Sequence, residues 1–190
     1  MNQQRNIVYD RRNFALHGIN ISMELDAIMN EYLDNIFETY CNSSTKTEWY
    51  WDELSAECLN IFSLEIKFDI NSINSTDDLR EIISNRTNEI LTYKKEKIDE
   101  LMFEQFQKWI IFRTIDENWR EHLAGMDQLR EGIGLRAYGQ KNPLIEYKQE
   151  GFGMFVDMMS ETNRETLKRI FRSNIQKTNQ GPVVQRSKPK

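Results

Sequence analysis

Apolar residues spaced mostly three or four apart fill two long stretches between residues 98 and 171. Spacing of this kind places the residues on one face of an α-helix. The sequence therefore predicts two amphipathic helices with long apolar stripes. The first stripe contains Ile98, Met102, Phe106, Trp109, Phe112, Trp119, Leu123, Met126, Leu129 and Ile133, and the second contains Leu144, Tyr147, Phe152, Phe155, Val156, Met159, Leu167, Ile170 and Phe171.

A short segment, residues 134–143, joins these two helices. It holds Gly134 and Gly139, which favour a turn, and Pro143, which suits the first position of a helix. Because a loop of this length leaves little room for a long crossover, it predicts that the helices run antiparallel. The region is thus expected to form a helical hairpin.

The tip of this predicted hairpin carries Arg136, Tyr138, Gln140 and Lys141. A core position would not combine these residue types, so two interpretations stay open. One is an ordinary polar loop. The other is a contact point, because a tyrosine between a guanidinium and an ammonium can stack, donate a hydrogen bond and reach into a groove.

The rest of the chain also has helical periodicity, so the sequence predicts an all-α fold. We expect a short extended connector at residues 64–70, since that alternating segment has no second strand to pair with. The basic segment at residues 175–190 is expected to be disordered. Four further helices are predicted. The first covers residues 1–16, the second is capped by Ser22 and ends near Tyr40, and the third covers residues 49–62. The fourth is capped by Thr76 or Asp77 and continues through Lys94–Lys97 into the hairpin.

Charge is distributed unevenly along the chain. Residues 18–90 carry fifteen acidic and four basic side chains, a local net charge of −11. Residues 164–190 carry eight basic side chains and one acidic, a local net charge of +7. The basic end is interpreted either as a solvated terminus or as a weak contact with anionic lipid or nucleic acid. The acidic segment and the lack of a basic aromatic face argue against specific nucleic-acid binding.

No pattern in the chain predicts a metal or cofactor site. Cys41 and Cys58 form no CxxC pair, and the two histidines are not spaced to complete a metal site. Residues 134–141 resemble a phosphate-binding loop only superficially, because Gln140 stands where that motif needs lysine. His122 beside Glu121 is interpreted as a structural or surface histidine, since adjacent helical residues do not face each other. Trp109 and Trp119 are interpreted as core anchors.

No apolar run approaches the length of a membrane span, and the N-terminus lacks a signal pattern. The sequence therefore predicts a soluble, cytoplasmic chain.

Residues 119–155 carry a run of short motifs. They are Trp119-Arg120-Glu121-His122-Leu123, Met126-Asp127, Leu129-Arg130, Gly132-Ile133, Leu135-Arg136, Tyr138, Gln140-Lys141, Pro143, Glu146-Tyr147-Lys148 and Met154-Phe155. This run closely resembles the C-terminal region of the SecA family, the bacterial ATPases that drive preproteins through the SecY channel. By this resemblance residues 1–17 are the end of a long scaffold helix and 18–92 a helical wing domain. Residues 93–174 are then the scaffold with its two-helix finger, followed by the tail at 175–190.

The resemblance implies functional roles for the predicted tip. Tyr138 would meet the translocating preprotein, with Arg136, Gln140 and Lys141 beside it at the mouth of the SecYEG channel. The partners would be that channel, the preprotein and SecA-like motor domains, which places the chain peripherally on the cytoplasmic face of the inner membrane. ATP and Mg²⁺ serve the family's nucleotide-binding domains, so this chain is expected to bind no cofactor and to be inactive alone.

Two further expectations complete the sequence-based interpretation. The apolar stripe of the scaffold helix, if left uncovered, favours self-association. The alternative function is a stand-alone helical adaptor that binds a protein partner through the hairpin.

Overall fold

A computed structural model describes residues 1–17, 21–134 and 142–175. Within these ranges the chain forms six α-helices and a short 3-10 helix at Lys46–Glu48, with no β-strand, which confirms the all-α prediction. The α-helices are α1 (Asn2–His17), α2 (Ile21–Tyr40), α3 (Trp51–Phe62), α4 (Thr76–Lys97), α5 (Glu100–Gly132) and α6 (Pro143–Arg172).

The chain divides into two compact units. Unit 1 comprises Met1–Ile19 and Ile111–Thr162, and unit 2 comprises Asn20–Ile110 and Asn163–Lys190. Unit 1 therefore contains α1 and most of α5 and α6, whereas unit 2 contains α2, α3, α4 and the remaining ends of α5 and α6. The domain boundaries expected after residues 17, 92 and 174 divide the chain by sequence order and stay a prediction.

The core of unit 2 is built on α2, whose apolar residues recur every three or four positions and are buried along one face. These buried residues are Ile21, Leu25, Ile28, Met29, Tyr32, Leu33, Ile36 and Phe37. The ring of Tyr32 meets that of Phe62 edge-on, with 5.9 Å between centroids, and Phe62 meets Phe171 in the same way at 5.2 Å. Side chains of α2, α3 and the end of α6 thus share one aromatic cluster.

A polar network beside this cluster centres on the carboxylate of Glu57 in α3. Its Oε1 accepts hydrogen bonds from Tyr32 Oη at 2.6 Å and Arg164 Nε at 3.1 Å, and its Oε2 accepts a long one from Asn60 Nδ2 at 3.4 Å. Burial acts to raise the pKa of Glu57, but the donated hydrogen bonds and the Arg164 charge outweigh it, so the pKa is lowered. The network holds this carboxylate ionised at the edge of the core.

Several helix boundaries differ from the predictions, and α3 begins at Trp51 rather than at residue 49. α4 is capped by Ser75, whose Oγ accepts from the Asp78 N–H at 3.2 Å while the Asp78 carboxylate accepts from the Ser75 N–H at 3.2 Å. This capping box satisfies two backbone donors, so the predicted cap at Thr76 or Asp77 was wrong. Ser22 lies inside the first turn of α2 rather than before it. α4 ends at Lys97 instead of continuing into α5, which begins at Glu100.

The segment between α3 and α4 confirms the connector predicted at residues 64–70, which lie in neither a helix nor a strand. Ser63 ends α3 in the left-handed region, with φ of 57°, and its N–H donates to the Leu59 carbonyl at 3.1 Å. The connector is fastened to α3 by Ser55 Oγ, which donates to the Ile66 carbonyl at 2.7 Å.

The hairpin stripes are buried only in part. Trp119 is buried as predicted, but Trp109 is 45% exposed, so its assignment as a core anchor was wrong. The reason is that Phe103, Gln107 and Ile110 form the buried face there, and Trp109 is turned away from it by about 100°. Three predicted members of the α6 stripe are also exposed: Leu144, Phe152 and Val156.

None of the helices within the described ranges is both long enough and apolar enough to cross a bilayer.

Candidate functional site

The four predicted tip residues, Arg136, Tyr138, Gln140 and Lys141, lie outside the described residues. Their roles therefore stay predictions, and the site is built here from the described parts of the hairpin and the helix that packs against it in unit 1.

The second arm of the hairpin begins with a defined cap. Asn142 precedes Pro143, and its Oδ1 accepts a hydrogen bond from the Leu144 N–H at 3.0 Å. Its backbone carbonyl accepts from the N–H groups of Ile145 and Glu146, both at 3.1 Å. An Asn cap followed by proline at the first helical position satisfies the free donors of a helix start. The predicted role of Pro143 is thus confirmed.

The two arms approach closely at two glycines. A Cβ on Gly151 would lie 2.6 Å from Met126 Cε, and a Cβ on Gly125 would lie 2.7 Å from Met154 Cε. Each glycine thus leaves the space that a methionine of the opposite arm fills. Because residues later in α5 pair with residues earlier in α6, the arms run antiparallel in unit 1, as predicted.

A third element, α1, is fastened to both arms through Gln4. Its Nε2 donates to the Gly151 carbonyl at 2.9 Å, and its Oε1 lies 3.3 Å from His122 Nε2. Since an amide oxygen only accepts, His122 must carry its proton on Nε2 for this hydrogen bond to form. We call Gln4, His122 and Gly151 the Gln4 clamp.

Aromatic rings enclose the histidine of this clamp. Trp119 stacks on His122 with 5.4 Å between ring centroids, and Phe155 meets it at 5.7 Å and 61°. His122 is 5% exposed, and burial, assisted by the positive N-terminus, lowers its pKa. The neutral ring therefore serves as a packed hydrogen-bond donor, which confirms the structural interpretation of His122.

A second polar link joins α1 to α5 in unit 1. Arg12 Nε donates to Asp116 Oδ1 at 2.9 Å, and its guanidinium carbon lies 4.4 Å from the centroid of the Phe112 ring. Both charged side chains are about one-third exposed, so solvent weakens this pair. The hydrogen bond and the ring contact together join Arg12 to two neighbouring positions of α5.

Within the described part of the chain, no three His, Cys, Asp or Glu side chains come together in a way that would hold a metal ion. What unit 1 offers is mechanical: a long antiparallel hairpin whose arms and supporting helix are held by close packing and specific hydrogen bonds.

Comparison with known proteins shows the family of the chain. Residues 1–174 match the model of the SecA wing and scaffold domain, and this match contains both arms and the predicted tip. The chain belongs to the SecA family. The resemblance seen in the sequence is thereby confirmed, and the SecA match extends over α1 to α6.

Several curated SecA proteins align along nearly the whole chain. The protein translocase subunit SecA of Syntrophobacter fumaroxidans is 31% identical over 183 residues, covering 95% of this chain and 22% of the relative. That of Chloroherpeton thalassium is 36% identical over 174 residues, covering 90% of this chain and 16% of the relative. The chain thus spans about a fifth of the length of these curated relatives.

Proposed function

We propose that this chain is the wing and scaffold part of a SecA-type protein translocase and performs no catalytic step itself. The match of residues 1–174 to the SecA wing and scaffold domain carries the proposal. In this proposal ATP and Mg²⁺ act in other domains of the motor, and the chain couples their cycle to movement of a preprotein. It would lie peripherally on the cytoplasmic face of the inner membrane.

Within that role, we assign the contact with the preprotein and the SecYEG channel to the α5–α6 hairpin. The contacting pairs of its arms, Gly125–Met154, Met126–Gly151 and His122–Phe155, have sequence midpoints between residues 138 and 140. The predicted contact residue Tyr138 is therefore near the middle of the sequence between these paired positions, which supports its assignment. Arg136, Gln140 and Lys141 would contribute charge and hydrogen bonds beside it.

The Gln4 clamp gives the hairpin a mechanical function in this proposal. A hairpin transmits force to its tip only if its arms do not slide on their support. Gln4 bonds both arms of the hairpin at once, and the Gly–Met packing resists sliding of one arm along the other. These contacts are the ones expected of a rigid hairpin.

The first test asks whether the chain joins a motor. The purified chain is mixed with a SecA protein truncated before its wing and scaffold region, and binding and the ATPase rate are measured. Binding with a change in rate supports the proposal. If neither occurs, the stand-alone adaptor becomes the better interpretation.

A second test examines the tip in an intact motor that carries this region. Tyr138→Ala should abolish preprotein transport into membrane vesicles while nucleotide binding is retained. The matched control is Tyr50→Ala, which removes a tyrosine side chain that is 53% exposed on unit 2. Normal transport by the Tyr138 variant would refute the tip assignment without affecting the family assignment.

A further inference from the structure

Unit 2 contains a cavity of about 540 Å³ where the last turn of α4 meets the residues that follow α6. Its volume falls in the range of small-molecule sites, which is about 300–1,000 Å³. The described residues that line it are Ile90, Tyr93, Lys94, Lys97, Ser173, Asn174 and Ile175.

The lining is positively charged. Two of the seven residues are lysines and none is acidic. A third lysine of the same helix turn, Lys95, does not line the cavity and pairs with Glu100 instead. The cavity thus concentrates cationic charge in a protein whose net charge is −5.

Lys94 presents its ammonium in a fixed position. Its Nζ donates to the carbonyls of Ile170 at 3.0 Å and Ser173 at 2.6 Å. An ammonium has three N–H donors, so these two bonds leave one for a ligand in the cavity. Burial also lowers the pKa of Lys94 to about 8, which means that an anion at this position would compensate a charge poorly solvated by water.

The second lysine extends the cationic wall beside an aromatic ring. Lys97 Nζ lies 5.0 Å from the centroid of the Tyr93 ring, a cation–π contact that leaves all three N–H donors available. The rest of the lining combines two isoleucines with a serine hydroxyl and an asparagine amide. A ligand with an anionic group and an apolar or aromatic body matches these surroundings.

We propose that this cavity binds a free organic phosphate, with the phosphate between Lys94 and Lys97 and the organic part against Tyr93 and the isoleucines. Lysine binds phosphate as a compact point charge, so two lysine ammonium groups on one cavity wall suit the charge of a phosphate group. The cavity is larger than inorganic phosphate needs, and this volume accounts for the organic part. The site is independent of the proposed translocase role.

Phenyl phosphate is the probe for this site, with the full chain labelled with ¹⁵N. Saturable chemical-shift changes are expected at residues 90–97 and 173–175. Inorganic phosphate should bind the same residues more weakly, and benzyl alcohol should not bind. Absence of saturation with phenyl phosphate would overturn the proposal, and equal binding of benzyl alcohol would show an apolar site instead.

Two variants with the same charge change distinguish the effect of a lysine in the cavity from the effect of the protein's overall charge. Lys97→Gln should raise the dissociation constant of phenyl phosphate about tenfold, the value of one charge-assisted contact. Lys95→Gln should change it less than about twofold, because Lys95 does not line the cavity and its charge is paired with Glu100 at the surface. Both side chains are exposed, so folding is checked simply by circular dichroism. Equal losses in the two variants would refute a specific site.

Discussion

The Gln4 clamp makes a strong prediction about how α1 is held to the hairpin. Gln4→Ala removes the hydrogen bond to the Gly151 carbonyl and leaves the buried Nε2–H of His122 without the acceptor that lies 3.3 Å away. The lost bond is worth about 1 kcal/mol, and a buried unsatisfied donor costs about 1–3 kcal/mol. The higher helix propensity of alanine offsets a few tenths of a kcal/mol of this loss in unfolding free energy. The expected loss in unfolding free energy is about 2 kcal/mol.

Urea unfolding followed by circular dichroism measures this loss, with Gln3→Ala as the matched control. Gln3 is exposed in the same helix turn, so its variant should lie within about 0.5 kcal/mol of the parent. Hydrogen exchange then localises the effect: the Gln4 variant should exchange faster in residues 2–16 and 111–130, and unit 2 provides the internal reference. Equal stability of the two variants would refute the clamp.

Three further predictions concern packing and pH. Gly153→Ala should stabilise the fold by about 1 kcal/mol, because nothing lies within 4 Å of the new methyl group. Gly151→Ala should not be stabilised in this way, because a methionine fills the space. Thermal unfolding compares the two variants. A gain in stability for Gly151→Ala equal to that for Gly153→Ala would contradict the packing argument.

Glu57→Gln should cost about 2 kcal/mol and exposed Glu53→Gln under 0.5 in urea unfolding at pH 7. Because the pKa of Glu57 is lowered, its stabilisation is complete above about pH 4.3 and is lost as pH falls through the folded pKa. A Glu57→Gln variant with parental acid stability would contradict this. Because the pKa of His122 is lowered, protonation favours unfolding, so stability should fall below about pH 6.5, and His122→Gln should remove that slope. If the pH dependence of stability is unchanged in this variant, other titratable groups cause it.

Periodicity predicted the long helices because burial of one face is a property of many residues at once. The α2 stripe from Leu25 to Phe37 is buried as the spacing requires, and small shifts at the ends do not affect it. Caps depend on single side chains instead. Ser75, Thr76 and Asp77 can all cap a helix, and only the geometry with Asp78 distinguishes them.

The candidate site was harder to predict. Gln4 lies among other polar residues, and nothing in the sequence marks it as the one that bonds two distant helices. Gly125 and Gly151 did carry a signal, since glycine inside a helix costs stability and is often retained for close packing. Trp109 shows the opposite error: it has the right spacing for a stripe, but Ile110 beside it takes the buried position. The spacing of apolar residues therefore predicts the buried face of a helix only to within the angle between neighbouring residues.

The reciprocal contacts between glycines and methionines also make the hairpin sensitive to oxidants. Met126 is 3% exposed, and its Sδ would lie 3.1 Å from a Cβ on Gly151. Conversion to the sulfoxide adds a polar oxygen to a sulfur that is buried against the opposite arm. Oxidation of this one atom would therefore loosen the packing between the arms, and a methionine sulfoxide reductase reverses that modification.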